Sequence, residues 1–217
     1  MDCTVQWGHA RAMSQNQKKI LLVGASGTLG QAVRAALTER GHQVVTASRK
    51  DADLTVDITD PASIAELYRQ VGRVDAVASA AGTVPWKTLG ELSTEDVRGG
   101  FEGKVLSQVE LVRQGLGHVA DGGSYTLITG ILSREPIATG TVASLANGAV
   151  EAFVRAAAVE LPAGQRINAV SPTVFEESLE AYGDFFPGFD PVPVARAARA
   201  YVRSVEGLQT GQVYRVE

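Results

Sequence analysis

The sequence predicts an α/β fold: a parallel sheet with helices on both faces, in a three-layer doubly wound arrangement. Three observations predict it. Short apolar runs alternate with stretches of helical periodicity from Lys19 onward. The runs are too uniformly apolar for strands with one wet face, as expected of strands buried on both sides. The first run also meets the first helical stretch through a turn with glycines three apart, Gly24, Gly27 and Gly30. Right-handed crossovers then place a ligand crevice beyond the strand C-termini.

The elements follow in order. "KILLVGA" is the first strand, and "GTLGQAVRAALTERG" is a helix with Leu29, Val33, Ala36 and Leu37 on one face, stopped near Gly41. "HQVVTAS" and "ADLTVDIT" are strands two and three. Asp60-Pro61 supplies an N-cap and a first helical residue for "PASIAELYRQVG". "VDAVASAAG" is strand four. "STEDVRGGFEGKVLSQVELVRQGL" is a long helix capped by Ser93 or Thr94, with Gly99-Gly100 as its weak spot. "GGSYTLITG" is strand five, and "TVASLANGAVEAFVRAAAVEL" is an Ala-rich helix halted at Pro162. "QRINAVSP" is strand six, "DPVPVARAARAYVRSVE" holds a helix, and "TGQVYRV" is the last strand. The least regular internal stretch, residues 173–193, is rich in aromatics, acids and prolines. Its place at the crevice end predicts a substrate lid; the plainer alternative is a surface connection.

A chain of 217 residues suits one domain, taken as 19–217. Residues 1–18 are polar and aperiodic and are expected to be a disordered leader, with Met13 as an alternative start. The net charge of −4 argues against nucleic acid or an anionic membrane as partner. No apolar run is read as long enough to span a membrane. Cys3 is the only cysteine, so no internal disulfide forms, and with no signal peptide the expected compartment is reducing and cytoplasmic. His9, His42 and His118 show no ligand spacing, so no metal site is expected.

The glycine turn carries the first functional reading. A strand, three glycines and a helix form a phosphate cradle, where a missing Cβ admits a pyrophosphate and the helix dipole favours it. The candidate dinucleotide-binding residues are Gly24, Ser26, Gly27, Thr28, Leu29 and Gly30. Ser48 and Arg49 end strand two, where the adenosine ribose belongs. An acid there would bind the 2′-hydroxyl of NAD; an arginine accommodates a 2′-phosphate, which favours NADP(H) over NAD(H). Arg49 and Lys50 can equally be solvated surface cations. Asp57 is placed to meet the adenine edge.

Several segments together resemble the short-chain dehydrogenase/reductase family. "GASGTLG" is similar to that family's cofactor turn. "SAAG", with Ala80, Ala81 and Gly82 as candidate cofactor contacts, is similar to its Asn-Asn-Ala-Gly segment. "QRINAVSP" resembles its Arg-Val-Asn-x-x-x-Pro-Gly strand, with Pro172 in register and Thr173 where glycine is usual. The resemblance implies a Rossmann fold of strand order 3-2-1-4-5-6-7 and an NAD(P)H-dependent carbonyl or alcohol reaction. It also implies a homodimer or homotetramer built on the fourth and fifth helices.

The family's Tyr-x-x-x-Lys pair is absent here. Ala143 takes the tyrosine position, and Asn147, able to hydrogen-bond a ribose, takes the lysine position. The family serine falls on Thr129 or Gly130, and the helix-four asparagine on Lys104. Lys104, lowered in pKa by desolvation, is the first candidate for proton donor or Schiff-base former, with Thr129 polarising the carbonyl oxygen. Lys104 on a solvated face, paired with Glu102 or Glu110, is the alternative. Arg134 can fork a substrate carboxylate or lie solvated in its loop, and Trp86 and Lys87 are candidates for the pocket wall. The leading expectation is an NADP(H)-dependent oxidoreductase acting on a small carbonyl or enone. The alternatives are an NADP(H)-binding regulatory or inactive protein, and a non-redox lyase or isomerase on the same scaffold.

Overall fold

The computed structural model describes residues 17–217. The expected leader, with Cys3, His9 and Met13, lies outside the described residues except for Gln17 and Lys18. The chain runs β1 (Lys19–Val23), α1 (Thr28–Glu39), β2 (Gln43–Ser48), β3 (Leu54–Thr55), α2 (Pro61–Val71) and β4 (Val74–Ser79). It continues through α3 (Thr94–Gly100), a π-helical segment (Phe101–Leu106), α4 (Ser107–Gly115), β5 (Val119–Ile128), α5 (Thr141–Glu160) and β6 (Arg166–Pro172). The short α6 (Leu179–Tyr182), α7 (Val194–Glu206) and β7 (Val213–Val216) complete it. All seven strands pair in parallel, in the order β3-β2-β1-β4-β5-β6-β7. This is the predicted three-layer fold.

Alternation along β1 explains the layers. Leu21 and Val23 face one side with α2, α4 and α5, while Ile20 and Leu22 face the other with α1 and α7. All four are buried, and each such side chain contributes ~1.5–3 kcal/mol by leaving water. The sheet is therefore a rigid floor with its strand C-termini on one edge. Tyr201 of α7 braces that edge by donating to the Ser79 carbonyl at 2.6 Å.

The capping residues behave as their chemistry dictates. Asp60 accepts from the Ala62 N–H at 2.9 Å, and Ser93 and Asp96 form a reciprocal capping box. Three expectations are corrected. Strand three shrinks to Leu54–Thr55, because the Asp53 carboxylate is held by the Thr46 N–H and hydroxyl, which fixes the turn before it. Residues 173–193 are not irregular throughout: they hold short helical turns, and Glu177 caps the Val194 N–H of α7. Thr141–Glu160 is long and apolar enough by length and composition to cross a membrane. Its Val142, Ala146, Val150 and Val154 side chains are buried in the domain core, which accounts for that composition without a membrane.

Candidate functional site

Main-chain geometry sets the glycine turn. Gly24 has a φ of +82°, and a Cβ there would lie 2.8 Å from Ala80 and Ala81, so the turn lies directly on the chain leaving β4. A Cβ on Gly30 would lie 2.1 Å from the Gly24 carbonyl oxygen. Gly27 differs: a Cβ there would meet nothing closer than 3.8 Å, so its missing side chain leaves space beside the α1 N-terminus. The first N–H groups of α1 have no intrahelical acceptor and point into that space. Ser26 and Thr28 are exposed beside it, whereas the Leu29 side chain goes into the core, leaving only its main chain for a ligand.

At the end of β2 the Ser48 hydroxyl donates to the Lys50 carbonyl, so its one proton is already engaged in the turn. Arg49 is exposed. Its charge adds to the Thr59 hydrogen bonds that hold the Asp57 carboxyl below its ordinary range. Arg49 and Asp57 thus share one electrostatic neighbourhood at the C-terminal ends of β2 and β3. Among the described residues no three His, Cys, Asp or Glu side chains gather as metal ligands.

A cavity of about 300 Å³ opens beyond β4, β5 and β6. Gly82, Lys104, Thr129, Ala143, Asn147 and Pro172, separated by up to 90 positions in sequence, all line it. Trp86 lines it too, and Tyr182 and Phe186 of the 173–193 segment cover one side. The Trp86 ring sits 6.3 Å from Tyr182 and 6.5 Å from Phe185. Ala143 packs with Ile131 and Leu132, so the wall where a tyrosine would stand is apolar. Lys87, the other expected wall residue, instead pairs with Asp96 at 2.8 Å.

Lys104 reaches the cavity because of the helix that carries it. Between α3 and α4 the backbone widens to a π turn, with the Ser107 N–H on the Glu102 carbonyl. Gly103 there accepts from the Thr83 N–H at 3.2 Å, docking the turn against the segment after β4. The Lys104 stem lies along Gly82, where a Cβ would sit 3.0 Å from its Cγ. The ammonium makes no hydrogen bond or ion pair among the described residues, so neither Glu102 nor Glu110 is its partner. Burial lowers its pKa to about 8. Two further polar atoms at the cavity are buried without partners, Asn147 Oδ1 and Thr173 Oγ1. Six further buried side-chain atoms, among them those of Ser79, Ser124 and Tyr125, also lack a partner among the described residues, and they lie outside this lining.

Behind the cavity lies a second polar group that the sequence reading missed. The buried Glu151 carboxylate accepts from the hydroxyls of Thr129 at 3.2 Å, Ser133 at 2.7 Å and Ser171 at 3.3 Å, with Arg134 3.8 Å away. This group bears on two expectations. The Thr129 hydroxyl has Glu151 and the Val170 carbonyl as acceptors. Arg134 is not solvated in its loop: it donates to Ser171 and pairs with Glu217. Gln108 was also missed. Its amide clamps both main-chain groups of Ile128 and also binds the Lys104 carbonyl, tying the π turn to the end of β5. The signal for both was spacing: Glu151 follows Asn147, and Gln108 follows Lys104, by one helical turn of four.

Comparison with known proteins adds the following. The family profile described as enoyl-(acyl carrier protein) reductase matches residues 4–206. The crystal structure of the protein lin1944 from Listeria innocua is 50% identical and superposes with a TM-score of 0.90, covering 92% of this chain and 99% of that one. A small-chain dehydrogenase solved in complex with NADPH is 22% identical, with a TM-score of 0.78 over 93% of this chain and 97% of its own. Hydroxynaphthalene reductase arp2 of Aspergillus fumigatus is 28% identical over 170 residues, which are 77% of this chain but only 61% of that protein.

Proposed function

The chain belongs to the short-chain dehydrogenase/reductase family of oxidoreductases, and from that premise we propose that it is an NADP(H)-dependent reductase of a small carbonyl or enone. The observation that carries this reading is the Lys104 ammonium, unpartnered among the described residues, in the same cavity as Asn147; Gly82 of that cavity is next along the chain from Ala80 and Ala81, on which the glycine turn packs.

The residues present fit a dinucleotide. The open space at Gly27, the free N–H groups of α1, and Ser26 and Thr28 suit a pyrophosphate. Gly82 and Pro172 line the cavity, Ala80 and Ala81 lie against the glycine turn, and the orphaned Asn147 Oδ1 suits a ribose hydroxyl. Exposed Arg49 favours a 2′-phosphate, and the NADPH complex of the small-chain dehydrogenase supports that choice. When bound, the nicotinamide supplies a hydride.

The chain's own work is then electrostatic. Lys104, protonated below about pH 8, places a cation at the oxygen where charge develops and delivers the proton to it. Thr129 reaches that oxygen only by turning its hydroxyl away from Glu151. Asn147 and Thr173 orient, and the Trp86, Tyr182 and Phe186 side excludes water. Titrating the protein into NADPH and NADH by fluorescence, then following NADPH oxidation with aldehydes, ketones and enones, tests the reading. Binding of neither nucleotide refutes it.

A second reading, an NADP(H)-binding protein without turnover, draws on Ala143 and on the engaged Thr129 hydroxyl. Tight NADPH binding with no oxidation across the panel favours it. Exposed Leu106 on the π turn and Leu145 and Val159 on α5 support a homodimer or homotetramer, which sedimentation would read directly.

A further inference from the structure

Among the described residues that line the cavity, Lys104 is the sole one with a formal charge, and Tyr182 is the only other titratable group. The acidic groups near the elements packed around it are engaged or turned away. Asp96 holds Lys87, Glu151 holds three hydroxyls and Arg134, and Glu102 is exposed. A cation kept in apolar surroundings without a counter-charge is costly. Lys104 is half-buried, and among the described residues its ammonium donates to no carbonyl or hydroxyl that would offset that cost.

We propose that the ligand brings the counter-charge: the cavity takes a small 2-oxo acid with an apolar or aromatic side chain, its carboxylate and keto oxygens both on the Lys104 ammonium. An ammonium has three N–H donors, and the keto oxygen of a 2-oxo acid lies side by side with one carboxylate oxygen, so one lysine serves both. A single cation matches a single negative charge. The remaining carboxylate oxygen has the Thr173 hydroxyl, a donor, within the same lining. Val84, Ile131, Leu132 and Phe186 offer the apolar body a dry wall, and Trp86 an aromatic face. The inference rests on reading this cavity as the substrate site. It concerns recognition alone, with no bond made or broken.

Titration calorimetry on the full chain at pH 7, with phenylpyruvate and with its neutral methyl ester, tests it. The acid is expected to bind at least ~10-fold tighter than the ester, a difference of ~1.4 kcal/mol. Lys104→Met should bring the acid down to the level of the ester, which loses only its keto contact and so weakens far less, while Lys104→Arg should keep the acid's advantage. Should Lys104→Met fail to fold, the wild-type protein carries the test alone. Raising the pH from 7 to 9 deprotonates Lys104, whose pKa is about 8, so the acid's advantage should shrink while ester binding stays flat. Equal affinities, a preference that survives Lys104→Met or pH 9, or no binding of either compound overturns the proposal. Acid preference without any NADPH oxidation leaves this recognition standing and sinks the reductase reading.

Discussion

A Cβ on Gly30 would lie 2.1 Å from a carbonyl oxygen, and one on Gly24 would strike Ala80 and Ala81 at 2.8 Å. In the cavity, among the described residues, Asn147 Oδ1 and Thr173 Oγ1 have no partner and Lys104 has no counter-charge. The glycine turn is finished by the fold itself: its atoms are fixed by steric necessity before any ligand arrives. The cavity end is left incomplete and holds polar groups the fold does not need. Residues whose identity follows from packing report on the scaffold. Residues that stand unsatisfied together around one cavity are the ones to test for chemistry.

The sharpest break of this comparison is Lys104→Met. Turnover on a confirmed substrate should fall by ~10²–10⁴, while the melting temperature holds or rises because a partly buried charge is removed. Undiminished turnover would take Lys104 out of the chemistry. The same side chain sets a pH signature. Its folded pKa, about 8, lies below the ordinary lysine value of 10.5, so the unfolded chain binds more protons between these values. Its contribution to stability is therefore most unfavourable below pH 8 and eases as pH rises toward 10.5. Activity that needs its proton should fall above pH 8. Thermal melts of wild type and Lys104→Met across pH 7–10 would show the stability trend in wild type alone.

Next in size is a pair of alanines in the glycine turn. Gly30→Ala forces overpacking worth ~1–3 kcal/mol, or ~2–12 °C in a domain of this length. Gly27→Ala should melt within ~1–2 °C of wild type, within the usual range for a surface change, yet weaken NADPH binding at least ~10-fold by filling the cradle. If both variants melted alike, the distinction between packing glycine and ligand glycine would fail.

Glu151→Ala strips an acceptor from three hydroxyls and leaves Arg134 short of a partner. A loss of ~2–4 kcal/mol is expected by chemical denaturation, with Glu151→Gln closer to wild type. A matching rise in turnover, from a Thr129 hydroxyl set free, would show that Glu151 restrains the site. The smallest effect should come at the adenosine end. Arg49→Ala is expected to cost NADPH ~10-fold in affinity, ~1.4 kcal/mol, and NADH almost nothing. Equal losses for both would mean that Arg49 does not read the 2′-phosphate.

The sheet order, the capping residues Asp60 and Ser93, and the gathering of Lys104, Asn147 and Pro172 were legible because each follows from local periodicity or from motif order. The engaged hydroxyls of Ser48 and Thr129 were not, because the direction of a rotor depends on an acceptor that sequence distance hides. Glu151 is 22 positions from Thr129. Arg134 likewise meets Glu217 across 83 positions, only because β6 and β7 are neighbours. The two-residue β3 escaped notice because its limit is set by a side chain, Asp53, that competes for the backbone of β2. Periodicity cannot report such competition.

The π turn between α3 and α4 has a consequence for how this lineage can change. A π turn is an α-helix with one residue too many. Deleting any single residue among 101–106 would let the helix close into regular 3.6-residue turns, and that repair would improve its hydrogen bonds. It would also swing everything on one side of the deletion by ~100° and draw it in by ~1.5 Å, turning position 104 out of the cavity or breaking the Thr83–Gly103 seam. The helix thus has a one-step mutational exit toward greater regularity, and that step would empty the cavity of the one charged side chain among its described lining residues.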